Sequence, residues 1–119
     1  MSFRTKLKSV VDHVEGALGC ILIDLEGMEI DWFPRDGTEG NLRMIAVELS
    51  SLLKKLRMMS VESQDDILEV SMTAGSVTTL ARVVSDEYML VVSLRRDADV
   101  SRAQSMLRLV APFVEREIS

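Results

Sequence analysis

The run ALGCILI at positions 17–23 is almost continuously apolar and includes Gly19 and Cys20. It is too short for a helix of ordinary length, and a strand of this composition has to be covered on both of its faces. The run therefore predicts a strand inside a sheet, with other elements packed above and below it.

The segments on either side of this strand have clear periods. Apolar residues recur at helical spacing from residue 2 to about 15, with Ser2 as the expected N-cap and Gly16 as the stop. After the turn signal DLEG at 24–27, apolar and acidic residues alternate as far as Pro34. This alternation predicts a hairpin whose second strand has one face in solvent.

The rest of the chain predicts a long helix, three strands and a final helix. Residues 38–59 lack proline and keep a helical period, and three short alternating segments then predict an antiparallel meander. These segments are 67–73, 77–84 and 88–94. A last helix, capped within 97–99, should bend or open locally at Pro112, because proline removes one backbone hydrogen bond. Its predicted buried stripe comprises Val100, Ala103, Leu107, Val110 and Val114.

The fold class that follows is α+β, with the order α-β-β-α-β-β-β-α. A five-stranded antiparallel sheet with helices on both faces is the natural way to bury these stripes. The 119 residues suit one hydrophobic core, and no linker-like stretch or internal repeat divides them. We therefore expect a single domain over residues 1–119.

Charge and hydropathy exclude several classes of partner. The net charge is −5 and no basic cluster is longer than Lys54–Lys55, so binding to nucleic-acid phosphates is not expected. No apolar stretch approaches the roughly 20 residues that span a bilayer. The first residues also lack the apolar core of a signal peptide, so we expect a cytoplasmic protein without direct membrane insertion.

The side chains that could carry chemistry favour structural roles. His13 has no second ligand at metal-binding spacing and should lie at the surface, whereas Cys20 should be a small buried apolar residue. The acidic pairs Asp65–Asp66 and Asp97/Asp99 precede predicted elements, where carboxylates serve turns and caps. No phosphate-binding or dinucleotide-binding glycine motif occurs. We expect neither a catalytic site nor a cofactor or metal, and hence no enzyme.

The long helix carries two apolar stripes. One stripe is predicted to face the sheet and comprises Leu42, Ile45, Ala46, Leu49, Leu52, Leu53 and Leu56. The opposite side contains Met44, Val47 and Met58, with small Ser51 among them and Glu48 and Lys55 as flanking charges. A helix on its own sheet buries only the first stripe, and monomers rarely expose a long apolar stripe. The second stripe predicts a homodimer contact, the alternative being scattered surface methionines.

The first strand of the meander gives a second candidate interface. Leu68, Val70 and Met72 alternate with polar residues, and no proline or lysine protects this strand from pairing. An edge of this kind would be satisfied by the same strand of a second subunit.

Three segments, taken with the order of elements, resemble the roadblock/dynein light chain family. They are VEGALG at 14–19, ILIDLEG at 21–27 and DEYMLVV at 86–92. The resemblance implies dimers in which the middle helices pack together and the sheets join. The bacterial MglB-like branch further implies binding to a small Ras-like GTPase and its regulation without donated catalytic residues.

Two other functions remain open at the level of sequence. A small-ligand sensor of the profilin or PAS-like type would have the same sheet, but it would need a cavity with converging polar groups. An enzyme that uses Cys20 would need an accessible thiolate. Both make predictions that the structure can address.

Overall fold

The computed structural model describes residues 3–35, 41–59 and 68–118, in which helices and strands follow the predicted order. The elements are α1 Arg4–His13, β1 Ala17–Asp24, β2 Glu29–Pro34, α2 Asn41–Met59, β3 Glu69–Ala74, β4 Val77–Val83, β5 Tyr88–Arg95 and α3 Val100–Ile118. The expected cap Ser2 and the acidic pair Asp65–Asp66 lie outside the described residues.

The described strands form one five-stranded antiparallel sheet in the order β2-β1-β5-β4-β3. β1 pairs with β2 on one side and with β5 on the other, and most of its residues are buried. This central position explains the apolar run at 17–23, because both faces of β1 are covered. The predicted fold class is confirmed.

The turn between β1 and β2 is held by the side chain of Asp24. Its Oδ1 atom accepts hydrogen bonds from the backbone N–H of Glu26 at 2.9 Å and of Met28 at 2.8 Å. Gly27 adopts a φ of 88°, which a residue with a Cβ rarely adopts. The DLEG sequence thus has a turn function that leaves no side chain over for chemistry.

The sheet separates two apolar clusters. On one face, α1 and α3 cover buried residues that include Cys20, Leu22, Leu90 and Val92. On the other face, α2 covers a smaller cluster that includes Ile21, Ile23, Met89 and Val91. Alternate residues of β1 and β5 therefore enter different layers, as the geometry of a pleated strand requires.

Two glycines of the VEGALG segment are required by close packing. Gly16 has a φ of 90°, and a Cβ added there would lie 2.7 Å from the Cβ of Ala98. At Gly19, an added Cβ would lie 3.0 Å from a methyl carbon of Leu42 at the start of α2. Gly16 thus admits the β5–α3 turn close to the start of β1, and Gly19 admits the start of α2.

α3 runs without a break through Pro112 to Ile118, so the predicted local opening of this helix does not occur. Arg108 and Pro112 both lie on the exposed side of α3, where water can bond to the carbonyl that loses its N–H partner. In the ranges 3–35, 41–59 and 68–118, no helix combines the length and apolarity that a bilayer crossing requires.

Candidate interaction surface

The solvent side of α2 carries six residues that the sequence assigns to an interface. We call them the outer face of α2; they are Met44, Val47, Glu48, Ser51, Lys55 and Met58. At about 100° per residue they fall within one third of the helix circumference, and all six are exposed. The two methionines are the most open of them, with Met44 71% and Met58 74% exposed. The structure therefore brings these six side chains together on one surface.

On the side of α2 that faces the sheet, four residues of the predicted stripe are buried, Ile45 and Leu56 are half-buried, and one is exposed. Leu42, Ala46, Leu49 and Leu53 are buried. Leu52 is 41% exposed, so its assignment to the buried stripe is wrong. Leu52 lies at the border of the stripe, about 60° around the helix axis from its centre, where the contact between α2 and the sheet ends.

Met59 extends the exposed apolar surface beyond the residues that the sequence singled out. It is 81% exposed and, like Leu52, lies on the flank of α2 that carries Glu48 and Lys55. Because Met59 is the last residue of the predicted helix, the sequence did not assign it to either side of α2. Together these two side chains widen the outer face of α2 on one side.

The three candidate residues of the sheet edge lie in or beside β3. Leu68 directly precedes the strand and is 54% exposed, Met72 is 38% exposed, and Val70 is half-buried. Val70 pairs with Ala81, whose side chain belongs to the cluster under α2, so these residues point toward the α2 layer. Within the described residues, β3 pairs with β4 and has no strand on its other side.

The opposite face of β3 is attached to α3. The carboxylate of Glu69 lies 3.7 Å from Arg108 Nη2, and it accepts a hydrogen bond of 3.3 Å from Gln104 Nε2. This attachment fixes β3 from one side only. Among residues 3–35, 41–59 and 68–118, no strand pairs with its outer edge, and Leu68 and Met72 on its α2-facing side are exposed.

The cations on α2 differ in the contacts that they make with their own chain. Arg43 forms two contacts with the carboxylate of Glu29, at 2.6 and 3.2 Å, and its guanidinium stacks 3.9 Å above the Trp32 ring. Arg57 donates a hydrogen bond of 2.7 Å to the carbonyl of Asp86. Among the described residues Lys55 has no such partner. Both arginines therefore serve to fasten α2 to the sheet and its turns.

A cleft of about 430 Å³ opens beside the C-terminal end of α2. It is lined by Asp24, Leu25, Glu26, Lys54, Arg57, Met58, Asp86, Glu87 and Tyr88. Lys54 pairs with Glu26 at 2.9 Å across it, and Arg57 bonds to a turn carbonyl there. Because both of its cations already bond to groups of this chain, the described lining of the cleft has no unpaired cation for an anionic ligand, which disfavours a sensor of such ligands.

The remaining candidates for chemistry lie apart from these surfaces. Burial raises the pKa of the Cys20 thiol to about 12, which makes it a poor nucleophile. His13 is exposed, and its Nδ1 contacts the carbonyl of Ser9 at 2.8 Å. Asp99 caps α3 by accepting a hydrogen bond from the N–H of Arg102 at 3.0 Å. In the parts of the chain that the structure describes, no group of three His, Cys, Asp or Glu side chains is arranged to hold a metal ion.

Known structures identify the family. MglC from Myxococcus xanthus is 38% identical in sequence, and the match covers 98% of this chain and 99% of that one, with a TM-score of 0.71. The chain belongs to the roadblock family. The suspected bacterial branch is confirmed as that of MglB and MglC. No protein-family model matches the sequence, and neither does any functionally curated protein.

Two further roadblock structures share the fold at low sequence identity. The roadblock/LC7 domain from Streptomyces avermitilis is 15% identical, with a TM-score of 0.85 over 99% of this chain and 98% of that one. MglB from Myxococcus xanthus is 8% identical, with a TM-score of 0.83 over 98% and 94%. At these identities the likeness concerns the roadblock fold alone.

Proposed function

We propose that this roadblock protein is a cytoplasmic homodimer that binds a small Ras-like GTPase and regulates it or holds it in place. It donates no catalytic residue. The observation that carries the proposal is the outer face of α2, where Met44 and Met58 are about three quarters exposed. Monomeric proteins rarely leave a stripe of this length in water. Membership in the MglB and MglC branch supports a GTPase as the partner.

The outer face of α2 is self-complementary about Ser51. Met44 lies seven residues before Ser51 and Met58 seven after it. If two α2 helices cross antiparallel at this small residue, Met44 of one copy meets Met58 of the other at both ends of the contact. Such isologous matching is what a two-fold interface requires.

The charges on the same face follow the same symmetry. Glu48 lies three residues before Ser51 and Lys55 four after it. In the antiparallel arrangement the carboxylate of one copy therefore comes near the ammonium group of the other. A parallel arrangement would instead place like charges side by side, which is unfavourable.

The edge of β3 supports the same assembly. Pairing of β3 with its copy would satisfy the open edge and extend the sheet across the dimer. Leu68, Val70 and Met72 would then lie close to the two-fold axis, on the same side of the sheet as α2. Both candidate surfaces would be covered by one partner subunit.

Regulation of a GTPase by this dimer would act through positioning. Phosphoryl transfer depends mainly on the placement of the water and on electrostatic stabilisation, so a partner that orders the switch loops can change the rate. Arg43 and Arg57 are held by Glu29, Trp32 and the backbone of their own chain. Neither is therefore poised to enter another active site.

The first test measures the oligomeric state by light scattering at micromolar concentration. The unaltered protein is expected to have the mass of a dimer, and the double variant Met44→Asp/Met58→Asp that of a monomer. Met28→Asp is the matched control, because Met28 is also exposed, at 66%, but lies in the β1–β2 turn. A monomeric unaltered protein would refute the dimer, and a double variant that keeps the mass of a dimer would refute the α2 contact.

The second test measures binding to a purified bacterial Ras-like GTPase loaded with GDP or with a GTP analogue. The dimer is expected to bind one nucleotide state more tightly, and the monomeric double variant to bind less. Absence of binding in both states, with the dimer intact, would refute the GTPase as partner. If Lys55→Ala abolished stimulated hydrolysis but kept binding, the positioning mechanism would be wrong.

A further inference from the structure

The outward side of α3 carries a second, separate apolar patch. We call Leu109, Pro112 and Phe113 the α3 patch; their spacing of i, i+3 and i+4 places them next to each other on the helix. All three are exposed, Leu109 at 61% and Phe113 at 42%. The buried stripe of α3, which includes Leu107, Val110 and Val114, faces the sheet on the other side of the helix. Folding of the chain therefore leaves the patch uncovered.

The α3 patch also lies outside the proposed dimer contact. α3 packs with α1 on one face of the sheet, whereas α2 covers the opposite face. A dimer built through α2 and β3 would leave both copies of the patch in solvent. A partner on the α3 patch would therefore bind at a site separate from the α2 contact.

Two cations lie directly on the aromatic ring of the patch. Lys6 Nζ is 4.3 Å from the centre of the Phe113 ring, and Arg116 Cζ is 4.8 Å from it. Neither forms an ion pair with a carboxylate in the described ranges 3–35, 41–59 and 68–118. Both charges are exposed and remain available to a partner.

The cations near the patch differ in whether a carboxylate neutralises them. Arg108 lies 3.7 Å from the carboxylate of Glu69, whereas Lys6 and Arg116 have no ion pair among the described residues. The complete chain has a net charge of −5. An apolar centre with two unpaired cations beside it, on a protein that is acidic as a whole, is complementary to a segment that carries both apolar side chains and carboxylates.

We propose that the α3 patch docks an acidic amphipathic segment of a partner protein. Apolar side chains of that segment would cover Leu109 and Phe113, and its carboxylates would pair with Lys6 and Arg116. This mode corresponds to a helix or short motif laid against an exposed apolar face. The inference goes beyond the proposed function, since it does not depend on a GTPase or on dimer formation. In a dimer it would give two such docking points.

A membrane surface fits the patch less well. The apolar centre comprises three residues only, and Glu115 and Glu117 lie on the same helix, where anionic lipids would repel them. A protein segment can place its own residues around these carboxylates. Binding to vesicles is therefore an outcome that would refute the proposal.

The test uses a random peptide library displayed on yeast and sorted against the labelled full-length protein. Peptides enriched by the unaltered protein are expected to be acidic and to carry apolar residues at helical spacing. Leu109→Asp should weaken their binding about tenfold or more, since it places a charge at the centre of the contact. Met28→Asp, in the β1–β2 turn and outside both sets of contact residues, should leave it unchanged, and light scattering of each variant reports separately on the dimer.

Charge reversal makes the test specific. The double variant Lys6→Glu/Arg116→Glu should enrich basic peptides in place of acidic ones. The proposal would be overturned by enrichment that Leu109→Asp does not reduce, by peptides whose charge does not follow the reversal, or by no enrichment at all. Flotation with phosphatidylserine vesicles that depends on Leu109 would assign the patch to a membrane. Conversion of a dimer to a monomer by Leu109→Asp would assign it to a second copy of this chain.

Discussion

The two helical layers of this roadblock protein differ in how completely a single chain builds them. α1 and α3 together cover one face of the sheet, and their inner residues, such as Leu7 and Leu107, are fully buried. α2 covers the other face alone, and there Val70 and Met72 near the sheet edge are only partly covered. The contrast indicates that the α1/α3 layer supports folding of the monomer, whereas the α2 layer is where assembly is expected.

The exposed apolar residues of the two layers differ as well. On α2 they extend over four turns, and the outer pair, Met44 and Met58, is symmetric about Ser51, as a contact with a second copy requires. On α3 they are limited to three residues beside Lys6 and Arg116. A long stripe and a short mixed patch are suited to different kinds of contact.

The largest expected effect concerns the core of the α1/α3 layer. Leu107→Ala should lower the free energy of unfolding by about 3 kcal/mol, because it removes buried methyl groups and leaves a cavity. Leu109→Ala, two residues away on the exposed side of the same helix, should change it by less than about 0.5 kcal/mol. Urea unfolding at fixed protein concentration measures both. Equal losses would mean that the α3 patch is part of the core after all.

The next effect separates the α2 layer from folding of the monomer. The unfolding free energy of a dimer should rise by about 2.7 kcal/mol over a hundredfold increase in protein concentration, since association stabilises only the folded chains. The double variant Met44→Asp/Met58→Asp should remove this dependence on protein concentration. In that background, Leu107→Ala should lower the unfolding free energy by the same amount as in the unaltered protein. The measurement is urea unfolding across a concentration series. A concentration dependence that survives in the double variant would place the dimer contact elsewhere.

Much of this architecture could be predicted from local patterns. The apolar run in β1, the DLEG turn and the three strands of the meander each depend on residues close together in the chain, and their predicted bounds hold to within a few residues. The exposure of Met44 and Met58 could be predicted as well, because α2 is long enough for two stripes to separate clearly.

Other features depend on the tertiary arrangement and could not be predicted from local sequence patterns. Leu52 lies at the border of its stripe, and whether it is covered depends on where α2 sits on the sheet. The stacking of Arg43 on Trp32 joins residues from different elements, so no local pattern indicates it. The α3 patch had a usable signal in the spacing of Leu109, Pro112 and Phe113, which the strong buried stripe of the same helix obscured.

A pH dependence tests how tightly the α1/α3 layer covers the sheet. Burial raises the pKa of Cys20 from 9.0 to about 12. The neutral thiol is therefore favoured in the folded state, and its contribution to stability is complete below about pH 9 and is lost as the pH rises toward about 12. Between about pH 8 and pH 10 the unaltered protein should lose about 1.4 kcal/mol relative to Cys20→Ala. Urea unfolding of both proteins at each pH measures this difference. If their unfolding free energies changed equally with pH, water would reach the thiol in the folded protein.

The smallest effect concerns the attachment of α2 to β2. Arg43→Ala should lower stability by about 1 kcal/mol, because it removes a stacking contact with Trp32 and a paired contact with Glu29. Lys54→Ala removes only the exposed pair with Glu26 and should cost a few tenths of a kcal/mol, about the value of a surface ion pair. Urea unfolding followed by the fluorescence of Trp32, the single tryptophan, measures both. Equal costs would show that the stacking adds nothing, and α2 would then be held by its apolar stripe alone. A larger cost at Arg43 would mean that the start of α2 is clamped, so that its outer face is already oriented before a partner arrives.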